Sequence, residues 1–120
     1  KAFFNNLGTT VEIKHEKSSI NFWSTSGMMA PFYEILKVLS DWLVKKGIKR
    51  DKAQRYIVSL FISLSEDSSI NLKKGMKTIV KESQTPGGLN EQALKELKKL
   101  NFYKQLTITS NTILRRLKGK

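Results

Sequence analysis

Thr85-Pro86-Gly87-Gly88-Leu89-Asn90 is the stretch of this sequence whose residue types point most directly to a task. Two glycines leading into a helix leave backbone N–H groups without intrahelical acceptors, beside the positive end of the helix dipole. No side chain blocks the approach, so such a turn is able to hold a carboxylate or a phosphate. The same residues also read as a plain tight turn, with glycine supplying a positive φ and Asn90 capping the helix that follows. Spacing alone leaves both readings open.

Other chemistry is sparse. His15 is the sole imidazole and sits among Lys14, Glu16 and Lys17, without the further His, Cys or clustered carboxylates that a metal site needs. It reads as a surface histidine, and no metal is expected. No base stands near a serine in a pattern that would make a nucleophile. Glu66-Asp67 is an adjacent carboxylate pair, but sequence neighbours do not face each other on a helix, so the pair reads as a helix end. Ser24-Thr25-Ser26-Gly27 is a hydroxyl-rich turn that either lines a polar site or caps the next helix, and Met28 and Met29 after it read as core filler.

The elements that position these residues are helical. Pro31 suits the opening of a helix in which Phe32, Ile35, Leu36, Leu39 and Leu43 share a face, widened by Val38 and Trp42 and stopped at Gly47. A second helix is expected over Lys49 to Glu66. Ala53, Ile57, Leu60, Phe61 and Leu64 form one face of it, and Tyr56, Val58 and Ile62 fill the other sides. A helix apolar nearly all round needs burial on more than one side, and a domain of 120 residues has little of its own to cover it. A second copy of the chain is the economical cover, so a homodimer is expected.

A shorter helix over Asn71 to Glu82 is weakened by Gly75. Leu94, Leu97 and Leu100 mark another, and Phe102, Leu106, Ile113, Leu114 and Leu117 a last one, with Asn101 between them. Thr9-Thr10-Val11-Glu12-Ile13 alternates like a strand, yet nothing downstream offers it a ladder partner. The expected fold is all-α with a leftover N-terminal strand. That strand reads as the end of a sheet lying elsewhere, and the start at Lys1 as the start of a cut piece.

The chain carries 22 Lys+Arg against 10 Asp+Glu, a net charge of +12, and no cysteine. The missing cysteines exclude disulfide scaffolds, thiolate nucleophiles, zinc fingers and iron–sulfur ligation, and they fit a reducing compartment such as the cytoplasm. No apolar run reaches the roughly 18–20 residues that a membrane helix needs. A basic excess invites a nucleic-acid reading. The lysines are scattered at positions where helices face water, so that module is the alternative, beside a helical assembly domain without catalysis.

Taken in order, the hydroxyl-rich glycine turn, Lys45-Lys46-Gly47-Ile48, Lys49-Arg50-Asp51-Lys52-Ala53 and Thr85-Pro86-Gly87-Gly88 resemble the C-terminal domain of the pyrroline-5-carboxylate reductase family. Leu7-Gly8-Thr9-Thr10-Val11-Glu12 is similar to the end of that family's cofactor domain. The resemblance covers nearly the whole chain. It implies a helical dimerisation domain of the 6-phosphogluconate dehydrogenase C-terminal-like type over residues 18–120, with residues 1–17 as the tail of a Rossmann domain. It further implies that the full-length enzyme passes hydride from NAD(P)H to pyrroline-5-carboxylate in proline biosynthesis, and that its substrate lies near the dimer interface.

Carried across, Thr85, Gly87, Gly88 and Asn90 become the positions that bind a small carboxylate-bearing substrate. The family has serine before the Pro-Gly-Gly and threonine two places after it, where this chain has Thr85 and Asn90. Its Ser-Gly-Ser-Gly-Pro-Ala-Tyr stretch is replaced by Thr25-Ser26-Gly27-Met28-Met29-Ala30-Pro31. No GxGxxG fingerprint occurs in the sequence, so the cofactor is not expected to bind this chain on its own.

Overall fold

The computed structural model describes residues 11–119, and among them every regular element is helical. The α-helices are α1 (Ser19–Thr25), α2 (Met29–Lys45), α3 (Arg50–Ile70), α4 (Met76–Glu82), α5 (Leu89–Lys99) and α6 (Phe102–Leu117). Short 3-10 turns at Glu16–Ser18, Ser26–Met28 and Leu72–Lys74 stand between some of them. The all-α expectation therefore holds. Of the expected strand, Thr9 and Thr10 lie outside the described residues, while Val11, Glu12 and Ile13 form no strand.

The described residues fall into two compact units, one formed by Met29–Leu106 and the other by the flanking segments up to Met28 and from Thr107 onward. In the larger unit, α2 and α3 make an antiparallel helical hairpin. Pro31 lies in the first turn of α2, where its missing N–H donor costs no intrahelical hydrogen bond. The C-terminus of α2 closes as a Schellman motif. Gly47, at φ +100°, donates to the Val44 carbonyl at 3.0 Å, and Ile48 donates to the Leu43 carbonyl at 3.1 Å. The chain is thereby turned straight into α3.

Across the hairpin, Asp41 accepts from Arg50 at 2.9 Å and from Lys37 at 3.1 Å, which ties the first turn of α3 to the last turns of α2. Those two cations hold the Asp41 carboxyl below the usual range, the Arg50 hydrogen bond acting most strongly. Further along, Phe32 and Phe61 meet edge to face, with ring centroids 6.1 Å apart. Between these ends lie the buried positions, Ser40 on α2 and Ala53 and Ile57 on α3, with Ala53 fully enclosed. Ser40 satisfies its hydroxyl on the Leu36 carbonyl at 2.7 Å.

Two boundaries differ from the sequence reading. The helix expected to end at Glu66 continues to Ile70, so Glu66-Asp67 lies inside it. The stop is Asn71, whose side-chain amide donates to the Asp67 carbonyl at 2.8 Å and satisfies a terminal acceptor. The helix expected over Asn71 to Glu82 is split at Gly75, which sits at φ +84°, ψ 150°, a region open in practice only to glycine.

In the smaller unit, Ser24, Thr25 and Ser26 prove not to be a turn. They lie in α1 and the 3-10 turn after it, and their hydroxyls donate to the Ile20, Phe22 and Trp23 carbonyls at 2.9, 2.6 and 2.5 Å. Each of these hydroxyls donates its proton to its own helix backbone. Gly27 lies close against α6, since a Cβ there would fall 2.5 Å from the end of Ile113. Met29, expected in the core, is 61% exposed.

Candidate functional site

The turn before α5 has the geometry that its glycines demand. Thr85, Pro86, Gly87 and Gly88 form a four-residue turn of the type II pattern, with proline second and a positive-φ glycine third. Gly87 sits at φ +75°, and Gly88 closes the turn by donating to the Thr85 carbonyl at 2.8 Å. Gly88 is in extended conformation (φ −87°, ψ 174°) and is itself the N-cap residue of α5. Asn90, expected to cap, lies one position further in than the first helical residue and makes no capping bond. The Pro-Gly turn and the extended Gly88 have already opened the helix before the chain reaches it.

Thr85, Gly87, Gly88 and Asn90 thus stand together around the start of α5, with Thr85 and Gly87 exposed and Gly88 partly covered. The sequence reading missed Glu91. Its carboxylate reaches back to the Gly87 N–H at 3.2 Å and pairs with Lys95 at 3.5 Å. The Gly87 N–H, and after it Lys95, hold this carboxyl below the usual glutamate range. A glutamate three residues after an N-cap is the spacing of a capping box, and that was the available signal.

Both glycine N–H groups therefore have internal acceptors. What remains open at the helix start are the N–H groups of the first turn, from Leu89 to Glu91, since the first bond that closes back is Gln92 N–H to the Gly88 carbonyl at 3.1 Å. These donors suit an anion, and the resident Glu91 carboxylate already answers part of their positive potential. Among the described residues no group of three or more His, Cys, Asp and Glu side chains is placed to hold a metal. Among the described residues no strand–glycine–helix unit occurs.

The larger feature of the surface is apolar. Among the described residues only Ala53 and Ile57 are buried hydrophobics. Trp42 is 57% exposed, Tyr56 63% and Ile62 52%, with Val38, Leu60 and Leu64 also open to solvent. The hairpin thus covers one stripe of each long helix and leaves the remainder uncovered. Between α3 and α4 runs an open groove of about 710 Å³, and none of the four turn residues lines it. No helix of the described residues is long and apolar enough to cross a membrane.

A helical domain that leaves most of its apolar surface to be covered from outside belongs to the class of assembly domains. Residues 20–118 match the family model described as pyrroline-5-carboxylate reductase dimerisation, and the chain belongs to that family of oxidoreductase domains. No curated protein and no solved structure matches the chain at a significant level.

Proposed function

We propose that this chain is the C-terminal dimerisation and substrate-binding domain of a pyrroline-5-carboxylate reductase-like, NAD(P)H-dependent oxidoreductase of proline biosynthesis, working in the cytoplasm as a homodimer. The observation that carries the dimer is the exposed apolar surface of α2 and α3 in a chain whose family is a dimerisation family. Residues 1–17 are assigned to the tail of the cofactor domain, and residues 18–120 to the helical domain. NAD(P)H supplies the hydride chemistry in the full-length enzyme. This chain's own part is to pair the protomers and to orient a substrate carboxylate.

The carboxylate-binding role rests on the open turn. Thr85 offers a hydroxyl, the Pro86-Gly87-Gly88 backbone lets a ligand approach without a Cβ in the way, and the first-turn N–H groups of α5 with the Asn90 amide offer donors. Thr85, Pro86 and Gly87 are exposed, so a ligand can reach them.

Two measurements test the reading. Light scattering on the 120-residue chain is expected to give twice the 13.7 kDa protomer mass, and a compact monomer at high micromolar concentration would remove the dimer. Proline, or a five-membered ring carboxylate analogue, is expected to shift the backbone amide resonances of Gly87, Gly88 and Leu89. Unchanged resonances at high ligand concentration would remove the substrate role.

A further inference from the structure

The basic excess of the chain is densest at the closed end of the α2–α3 hairpin, inside the larger unit. Six of the 22 Lys and Arg fall in residues 45–55, namely Lys45, Lys46, Lys49, Arg50, Lys52 and Arg55, with Asp51 as the one acid among them. All six are exposed. Arg50 is paired with Asp41, which Lys37 shares, while Lys45, Lys49, Lys52 and Arg55 enter no ion pair among the described residues. Lys45 and Lys46 suit the negative end of the α2 dipole. Lys49, Arg50 and Lys52 do the opposite, since they stand at the positive end of the α3 dipole, where cations are unfavourable. Lys49, Lys52 and Arg55 also follow one another at intervals of three, so like charges adjoin along an oblique row on α3. Lys46 precedes them by the same step across the Gly47 turn. Charges set against the dipole and against each other cost the fold stability, and departures of this kind collect where a site answers to something outside the chain.

We infer that this end of the hairpin binds a single-stranded nucleic acid, its phosphates along the row Lys46, Lys49, Lys52 and Arg55 and its bases against Trp42 and Tyr56. Both rings are more than half exposed, and each stands four residues from a cation of the row, the spacing at which helix side chains adjoin. The Lys46 ammonium lies over the Trp42 ring, 5.4 Å from its centroid. Cations interleaved with open rings are the recognition chemistry of a single strand, which offers a charged backbone and a π face at every base. An acidic peptide supplies the charge and leaves the rings unused. A lipid surface is a plane and meets only the tip, whereas the row climbs about 9 Å along α3 from Lys49 to Arg55. A second copy of the chain brings the same cations, and like charges keep it off this end. The inference goes beyond the proposed function and does not rest on it.

Anisotropy of a fluorescein-labelled oligothymidylate, titrated with the 120-residue chain over a range of salt, tests it. Four cations on phosphates predict a slope of log K against log salt of about −3. A Lys49→Gln/Lys52→Gln/Arg55→Gln variant is expected to bind at least about tenfold more weakly, to lose about 2 of that slope, and to keep its helical circular dichroism. Lys73→Gln/Lys77→Gln/Lys81→Gln removes as much charge from elsewhere in the same unit and is expected to stay within about threefold of the parent. No binding at low salt, or equal losses in the two variants, overturns the site. Polyglutamate, polyphosphate or phosphatidylserine vesicles that compete as well as the oligonucleotide at equal charge overturn the nucleic-acid reading. Should the first variant fail to fold, the parent's amide resonances decide: shifts centred on residues 42–56 support the site, and shifts centred elsewhere overturn it. Light scattering on the same samples reads the dimer separately, so a monomer that binds the strand removes the pairing and leaves this inference in place.

Discussion

Gly87 is where a single added carbon tells most about the turn. Its φ of +75° is the left-handed region, and a Cβ there would meet nothing within 4 Å. The cost of Gly87→Ala is then backbone strain alone, about 1–2 kcal/mol, seen as a lower urea midpoint with the urea dependence unchanged. Gly88→Ala fails for another reason, since its Cβ would fall 2.9 Å from the Thr85 carbonyl oxygen and force the turn itself to shift. Beside them, Glu91 ties pH to the same turn. Its carboxyl is held low by the Gly87 N–H and by Lys95, so its contribution is present above the ordinary glutamate range and is lost as pH falls through the folded value. Glu91→Gln is expected to flatten the decline of stability below about pH 4, measured as urea midpoint against pH. The same substitution removes a resident anion from the helix start. A ring carboxylate analogue is therefore expected to bind Glu91→Gln more tightly than the parent in a resonance titration, and equal or weaker binding would separate Glu91 from the ligand site.

The α2–α3 hairpin is set by small residues at its crossing and by polar ties at its closed end. Ala53 is fully enclosed, and Ser40 is buried on the opposing helix. Ala53→Leu must push the helices apart or force a strained rotamer, at about 1–3 kcal/mol in a urea titration at fixed protein concentration. Much of this element was legible beforehand. Gly47 after Lys45-Lys46 marks a helix end by chemistry that needs no partner, and the spacing of Ala53, Ile57 and Phe61 marks the inward stripe. The unread parts depend on where a polar side chain spends its hydrogen bonds. Ser24, Thr25 and Ser26 have the composition of a turn, yet each donates to a carbonyl three or four residues back and stays helical. Asn71, by donating to the Asp67 carbonyl, moves the end of α3 past the carboxylate pair that looked like a stop. The candidate turn was legible in its glycines, and so was the spacing of Glu91 three residues after Gly88. Its acceptance from the Gly87 N–H rather than from that of the N-cap residue follows from the turn's geometry.

At the scale of the whole molecule, the long helices carry more apolar surface than the chain covers. Burying an exposed large apolar side chain is worth about 1.5–3 kcal/mol each, and Trp42, Tyr56, Ile62 and Leu64 are all more than half exposed. A protomer that leaves so much of this free energy unrealised gains its stability on association, so folding and pairing are expected to be linked. Linkage has a thermodynamic signature that needs no knowledge of the interface. When two unfolded chains form one folded dimer, each tenfold rise in protein concentration adds about 1.4 kcal/mol of apparent stability per dimer. The thermal midpoint of the 120-residue chain is expected to climb steadily over a hundredfold range of concentration. A chain whose dimer is only a docking of two already stable protomers would instead show a midpoint that flattens at low concentration, once the protomer unfolds alone. Calorimetry across that range distinguishes the two. Because Ala53 and Ile57 are the only buried hydrophobics among the described residues, the first behaviour is the one expected.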